Sequence, residues 1–103
     1  MVFRVETTEP ADQDIEETLA FIAEDSPTAA ARWLEEFSEI IYSFREMPSR
    51  FPLIQEASEF PQTYRCAHLH SHRIIFRIDE DEKTVYVVRV YHGARRPLEP
   101  GDL

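Results

Sequence analysis

The sequence predicts an α+β fold of order β-α-α-β-β-β, an antiparallel sheet with a helical hairpin packed on one face. Three observations predict it. The first residues alternate with period two. Two apolar stripes at helical spacing follow, separated by a single Ser-Pro break. Three β-rich runs joined by short turns then fill the chain from residue 64 to residue 92.

Val2 to Thr7 is the first strand, with Phe3, Val5 and Thr7 on one side and Val2, Arg4 and Glu6 on the other. Pro10 stands where a helix starts, and Asp12 and Asp14 in its first turn suit the helix dipole. Ile15, Leu19 and Ile22 form the amphipathic stripe of that helix. Ser26 is a good N-cap and Pro27 a good first helical residue, so Asp25-Ser26-Pro27 ends one helix and begins the next. Ala30, Trp33, Leu34, Phe37, Ile40, Ile41 and Phe44 trace the second apolar face, and Met47-Pro48 stops it. The short link argues an antiparallel hairpin.

Residues 48–62 contain Pro48, Pro52 and Pro61 and no clear period. They read as a surface loop tacked to the core by Phe51, Leu53, Ile54 and Phe60. Strand signals follow at Tyr64–Leu69, Arg73–Ile78 and Thr84–His92, separated by His70-Ser71-His72 and by the acidic turn Asp79–Lys83. Connections this short make an antiparallel meander. Gly93, Pro97 and Pro100 leave the tail irregular.

With 103 residues the chain has the size of one domain, spanning 1–103. Hydrophobic residues at 43% and charged residues at 30% are ordinary for a globular protein. The single cysteine, Cys66, excludes an intrachain disulfide framework and fits a reducing compartment. The absence of a long apolar run and of a signal-peptide pattern at the N-terminus predicts a cytoplasmic protein without a membrane partner. The net charge of −9 argues against a general nucleic-acid binder. That total hides an asymmetry. Residues 1–59 hold 14 Asp/Glu against four arginines, whereas residues 60–103 hold seven Lys/Arg against six Asp/Glu and all four histidines.

Alternation sorts the meander into two faces. Ile74, Phe76 and Ile78, with Tyr86, Val88 and Val90, form apolar sets expected to pack on the helices. The other face is expected to carry Arg73, Ile75, Arg77, Val85, Val87, Arg89 and Tyr91, joined by Arg65. Several arginines on one open sheet face suit an anionic partner, an acidic peptide or a phosphate backbone; the competing reading is ion pairing to the chain's own acids. Tyr91-His92 beside Arg95 and Arg96 could supply an acid/base pair with cationic stabilisers, the parts needed for RNA cleavage. His68, His70 and His72 alternate across a turn but have no Cys or carboxylate at ligand spacing, so neither a metal nor another cofactor is expected. Cys66 and Trp33 read as core.

Taken together, these segments resemble the RelE/ParE family of toxins from bacterial type II toxin–antitoxin modules, also described as plasmid stabilisation proteins. The resemblance is carried by "ADQDIEETLAFIAEDSPTAAARWLEEF", by "SFREMPSRFP" and by "YRCAHLHSHRIIFRIDEDEKTVYVVRVYHGARRP", in that order. It implies a compact domain that binds an antitoxin as a hetero-oligomer. RelE-like members cleave messenger RNA on the ribosome, and ParE-like members inhibit DNA gyrase. Arg65 and Arg73 resemble basic residues that the ribonuclease branch places on its sheet, and Arg95 resembles its arginine after the last strand. With His92 they are the catalytic candidates of that branch; Arg73, Arg77, Arg89, Tyr91 and Arg96 are the binding candidates. Ala67 stands where that branch often has a second basic residue, and no tyrosine follows Tyr91. The "HGARRP" ending and the "AEDSPTAAARW" link are more similar to the ParE-like branch. The expectation is a ParE-like gyrase inhibitor, with a ribosome-dependent ribonuclease or an antitoxin-binding module without toxicity as alternatives.

Overall fold

The computed structural model describes residues 2–93 and 96–103. The elements are β1 (Arg4–Thr7), α1 (Glu9–Asp25), α2 (Pro27–Ser43), β2 (Arg65–Leu69), β3 (His72–Asp79) and β4 (Thr84–His92), with short 3-10 turns at Pro48–Arg50, Ala57–Glu59 and Pro100–Asp102.

Both helix starts follow from their caps. The Thr8 hydroxyl accepts the Ala11 N–H, so α1 begins one residue before Pro10. The Ser26 hydroxyl accepts the Ala29 N–H and Pro27 opens α2. Ser26 also closes α1, its backbone N–H donating to the Ile22 carbonyl, so one residue serves both helices.

The sheet has the order β1-β4-β3-β2. The meander is antiparallel, as the short turns require, but β1 runs parallel to β4 from Arg4↔Thr84 to Thr7↔Val87. The sheet is therefore mixed rather than wholly antiparallel. Turn length constrains only strands joined by turns. β1 and β4 are separated by the whole helical hairpin, which supplies the long crossover that a parallel pair needs.

The face towards the helices holds the main core. Phe3, Trp33, Phe37, Phe44, Ile74, Phe76, Val85, Val87 and Val90 are buried there, with Ile15, Leu19, Ile22, Ile40, Ile41 and Ile78 packed around them. Simple alternation predicts Tyr86, Val88 and Val90 on this face and Val85 and Val87 on the other. The ladder corrects that. Ile75 pairs with Arg89 while Phe76 pairs with Val87, so Val88 is an extra residue at a β-bulge. The bulge reverses the alternation, placing Val85 and Val87 on the helix side together with Val90. Tyr86 instead lies beneath the Arg77 guanidinium.

The second face is also covered. Ile54, Cys66, Ile75, Tyr91 and Leu98 form a smaller core, with Phe60, Tyr64, Val88 and Leu103 packed against it. The loop and the C-terminal tail build this cover. Leu53 bridges to Arg65, and the Ile54 N–H donates to the Tyr64 carbonyl, tying the loop to the start of β2. Among the described residues no helix is long and apolar enough to cross a membrane.

Candidate functional site

The covered second face changes the surroundings of Arg65, Arg73, Arg89 and Arg96. Arg73 donates through both terminal nitrogens to Glu56, at 2.9 and 3.0 Å, and the two side chains are only 11% and 10% exposed. Glu56 Oε2 also accepts the Leu98 N–H at 2.8 Å, so one carboxylate holds both β3 and the tail. The Arg73 hydrogen bond, aided by that backbone N–H and opposed by burial, brings the Glu56 carboxyl down to about 2. Arg89 donates to Asp14 at 2.7 and 3.0 Å, and to the Asp102 carbonyl. Asp14 in turn accepts the Val90 N–H at 2.9 Å. β1 ends its pairing at Val87, so this carboxylate from α1 satisfies an edge donor of β4 that no strand reaches.

The remaining candidates are held by similar means. Arg96 pairs with Asp102, holding that carboxyl below its ordinary range, and also meets Glu99. Tyr91 is 1% exposed and its hydroxyl donates to the Arg96 carbonyl. Arg65 donates to the Phe51 carbonyl. Arg95 lies outside the described residues. Arg73 and Arg89, expected on an open face, are thus largely buried and neutralised by the chain's own acids, whereas Arg77 stacks on the Tyr86 ring and Arg96 stays exposed. Cys66 belongs to that layer, and burial pushes its thiol up to about 11.

Histidines gather instead at the end of the sheet where β2 turns into β3 and β4 finishes. His72 and His92 are cross-strand partners, their rings 4.9 Å apart. His70 sits in the turn with φ of 52°, a left-handed conformation that favours glycine, and its Nε2 lies 3.2 Å from Glu36 of α2. Gly93 closes this end; its N–H donates to the Ser71 carbonyl at 2.6 Å, and a Cβ there would stand 3.1 Å from that oxygen. Burial, reinforced by the neighbouring His92, holds His72 below the ordinary histidine range. Among the described residues no group of three or more His, Cys, Asp or Glu is placed to hold a metal ion.

Two concavities flank these histidines. One, of about 530 Å³, is polar and contains His68, His70, Arg73, His92, Gln55 and Glu56. The other, of about 690 Å³, is an apolar groove between α1 and α2, walled by Phe21, Ile22, Ala29 and Trp33 and ending at His70, His72 and His92. Trp33 is 5% exposed, stacks on Phe37 at 5.4 Å and meets the His72 ring edge-on at 5.6 Å. Trp33 Nε1 and His72 Nδ1 are buried without a hydrogen-bond partner among the described residues.

Sequence reasoning missed Asp14, Glu56 and the groove. Asp14 had a signal. It falls three residues after Ala11 and one before Ile15, an acid within an apolar stripe, where a buried carboxylate needs a cation. Glu56 follows the apolar Ile54 in a loop without period, and nothing local marks it.

The comparisons agree with this fold. Residues 5–97 match the family model described as ParE toxin of type II toxin-antitoxin system, parDE. A search of curated proteins finds no significant match. Among solved structures, the chain is similar to one of a chromosomal ParDE toxin–antitoxin system from P. aeruginosa, with TM-score 0.70 and 16% identity, covering 88% of this chain and 96% of that one. It is also similar to one of the RelBE2 complex from Mycobacterium tuberculosis, with TM-score 0.59 and 23% identity, covering 89% and 99%. A third likeness is to the archaeal RelE–RelB complex from Pyrococcus horikoshii OT3, with TM-score 0.56 and 18% identity, covering 93% and 100%.

Proposed function

The chain belongs to the ParE toxin family of type II toxin–antitoxin systems, and from that premise we propose that it is an inhibitory protein held by a cognate antitoxin and directed at DNA gyrase, without catalysing a reaction. The observation that carries this reading is the pair of buried bidentate ion pairs, Arg73–Glu56 and Arg89–Asp14. RNA cleavage needs a base near the 2′-hydroxyl, an acid near the leaving oxygen, and cations for the charge on phosphorus. Here Arg73 and Arg89 already have carboxylates, Arg65 is bonded to the Phe51 carbonyl, and the Tyr91 hydroxyl is held by a carbonyl of the tail. A phosphate reaching Arg73 would have to displace Glu56. The antitoxin partner is supported by the family and by the toxin–antitoxin complexes among the structural neighbours. On this reading the protein meets both gyrase and antitoxin in the cytoplasm.

A second reading, a ribosome-dependent ribonuclease, is favoured by the polar cleft that joins His68, His70 and His92 to Arg73. In it, His92 is the acid or base, and Arg65, Arg73 and Arg95 bind and stabilise phosphate. Purified protein added separately to a gyrase supercoiling assay and to a programmed ribosome divides the two. Inhibited supercoiling without codon-linked cleavage is expected. Cleavage that vanishes in His92→Ala replaces this reading with the enzymatic one. Silence in both assays, with antitoxin bound, leaves an antitoxin-binding module without toxicity.

A further inference from the structure

At the C-terminal end of α2, away from the histidines, three large exposed hydrophobic residues meet. Val2, Tyr42 and Met47 line one hollow of about 450 Å³, together with Arg45, Glu46 and Arg50. A second hollow, of about 510 Å³, lies between β1 and α2 and is walled by Arg4, Val5, Glu6 and Ile41. Tyr42 and Arg45 line both, and the Arg45 guanidinium stands 4.7 Å from the centre of the Tyr42 ring. Met47 holds φ of 47°, a left-handed conformation that favours glycine, yet its thioether is 73% exposed. A strained position that presents hydrocarbon to water adds nothing to the core. Charge is unusual here as well. Three of the four arginines of residues 1–59 line these hollows, against the carboxylates Glu6 and Glu46. Arg4 pairs with Glu6, and Arg50 donates to the Ser43, Glu46 and Met47 carbonyls at the end of α2. Arg45 has no ion pair among the described residues, in a chain with 20 Asp and Glu. The acidic turn Asp79–Lys83 comes to this end through the Arg4–Lys83 backbone hydrogen bond, but its acids line neither hollow.

We propose that this surface docks a short acidic segment of a partner protein, one that carries a large aliphatic side chain. A carboxylate of the segment forks onto Arg45, and the aliphatic side chain enters the hollow of Val2, Tyr42 and Met47. This docking surface lies beyond the antitoxin and gyrase reading and does not depend on it. A guanidinium laid over a ring keeps its N–H edge free, and that edge matches a carboxylate in a bidentate pair. Tyrosine and arginine are also the residue types on which interface energy concentrates, and an exposed methionine adapts its shape to what enters. Protein is favoured over the other common polyanion, nucleic acid. The chain has a net charge of −9, and residues 9–43 expose eight carboxylates against the single cation Arg32. That field repels a long phosphate backbone, whereas a short segment meets Arg45 alone. The hydrocarbon of Val2 and Met47 likewise offers a phosphate nothing.

The chain has two methionines, Met1 and Met47, so the NMR signal of a labelled Met47 methyl group, assigned by its loss in Met47→Leu, reports occupancy. The probes for the full chain are short synthetic peptides of Asp and Gly around one Leu. Matched peptides carry Lys in place of Asp or Ala in place of Leu, and a thymidine oligonucleotide of similar length represents nucleic acid. The Asp/Leu peptide is expected to shift the Met47 signal and to bind about tenfold more tightly than the Lys/Leu peptide at low salt. That preference should shrink severalfold at about 0.5 M salt, and Ala for Leu should weaken binding severalfold. Arg45→Gln should abolish the preference, and Arg45→Lys should restore only part of it, because an ammonium lacks the fork. Unfolding midpoints of both variants check that the fold is kept. Equal or tighter binding of the Lys peptide overturns the charge assignment, as does Asp-peptide binding indifferent to Arg45→Gln. Tighter binding of the oligonucleotide makes the partner a nucleic acid instead. A Met47 signal that moves with protein concentration alone makes the occupant a second copy of this chain. No shift with any probe at millimolar concentration removes the docking surface altogether.

Discussion

The two faces of the sheet are both covered, but by different physics. The helix side is closed by a nearly continuous apolar core in which Phe44, Phe51 and Phe76 meet as a cluster of rings, Phe44 and Phe76 with centroids 4.2 Å apart. The loop-and-tail side has a smaller core, and carboxylates hold its cover: Glu56 grips Arg73 and the Leu98 N–H, while Arg89 grips the Asp102 carbonyl. Burial of hydrocarbon is indifferent to protons, and carboxylate clasps are not. The helix side should therefore carry the stability of the fold, and the second face should set how that stability answers to acid.

The largest expected effect tests the first half of that contrast. Phe76→Ala removes a fully buried ring from between Phe44 and Phe51 and should cost about 3–5 kcal/mol in urea unfolding. A loss below about 1 kcal/mol would show that the aromatic cluster does not anchor the core.

Next is Glu56→Gln, which leaves the Arg73 guanidinium buried without a counter-charge and should cost about 3 kcal/mol. The double variant Glu56→Gln/Arg73→Met should recover part of that loss, because it removes the stranded charge as well. The sign of the pH dependence follows from the lowered carboxyl. Stability from this pairing is fully present above the ordinary glutamate value of 4.5 and is lost as pH falls towards about 2. In the Glu56→Gln background that acid slope should flatten; an unchanged slope would assign acid sensitivity to other carboxylates.

These two sites also show how far the sequence could be read. The cap-and-proline signature at Ser26-Pro27 and the stripe through Trp33, Phe37 and Phe44 are local, and the structure follows them. The direction of β1, the bulge at Val88 and the covering of the second face are not local. Each depends on which distant segment arrives at an edge or a face, and alternation within one strand carries no record of that. The arginines of the meander were visible in the sequence. Their partners were not, because Asp14 and Glu56 sit 75 and 17 residues away, on a helix and in an aperiodic loop.

A smaller effect separates the faces by pH rather than by magnitude. His72 stands below the ordinary value of 6.5 because burial disfavours its cation. The unfolded chain therefore binds more protons than the native one as pH drops through 6.5, and stability should fall in that window. The groove side thus loses stability nearer neutrality, and the Glu56 clasp only below 4.5. Unfolding measured from pH 8 to pH 2 should show two steps, of which His72→Asn removes the first and Glu56→Gln diminishes the second, which the lowered Asp102 carboxyl shares. Loss of both steps in one variant would mean that the two faces titrate as a unit.

The smallest expected effect lies at the turn between β2 and β3, where both faces end. His70 holds φ of 52°, and a left-handed residue with a Cβ costs roughly 1 kcal/mol relative to glycine. Opposing this is its contact with Glu36, a largely exposed pair on the scale of at most about 1 kcal/mol. His70→Gly relieves the first and removes the second, so stability should change by less than about 1 kcal/mol, on the favourable side if the backbone term prevails. The variant also deletes one of the ring systems at the end of the groove. A slight rise in stability makes the histidine a turn residue whose backbone strain outweighs its contact with Glu36. A stability loss well above 1 kcal/mol would instead make His70–Glu36 the latch that fastens the meander to α2, joining the two faces through a contact that exposure alone would rank as weak.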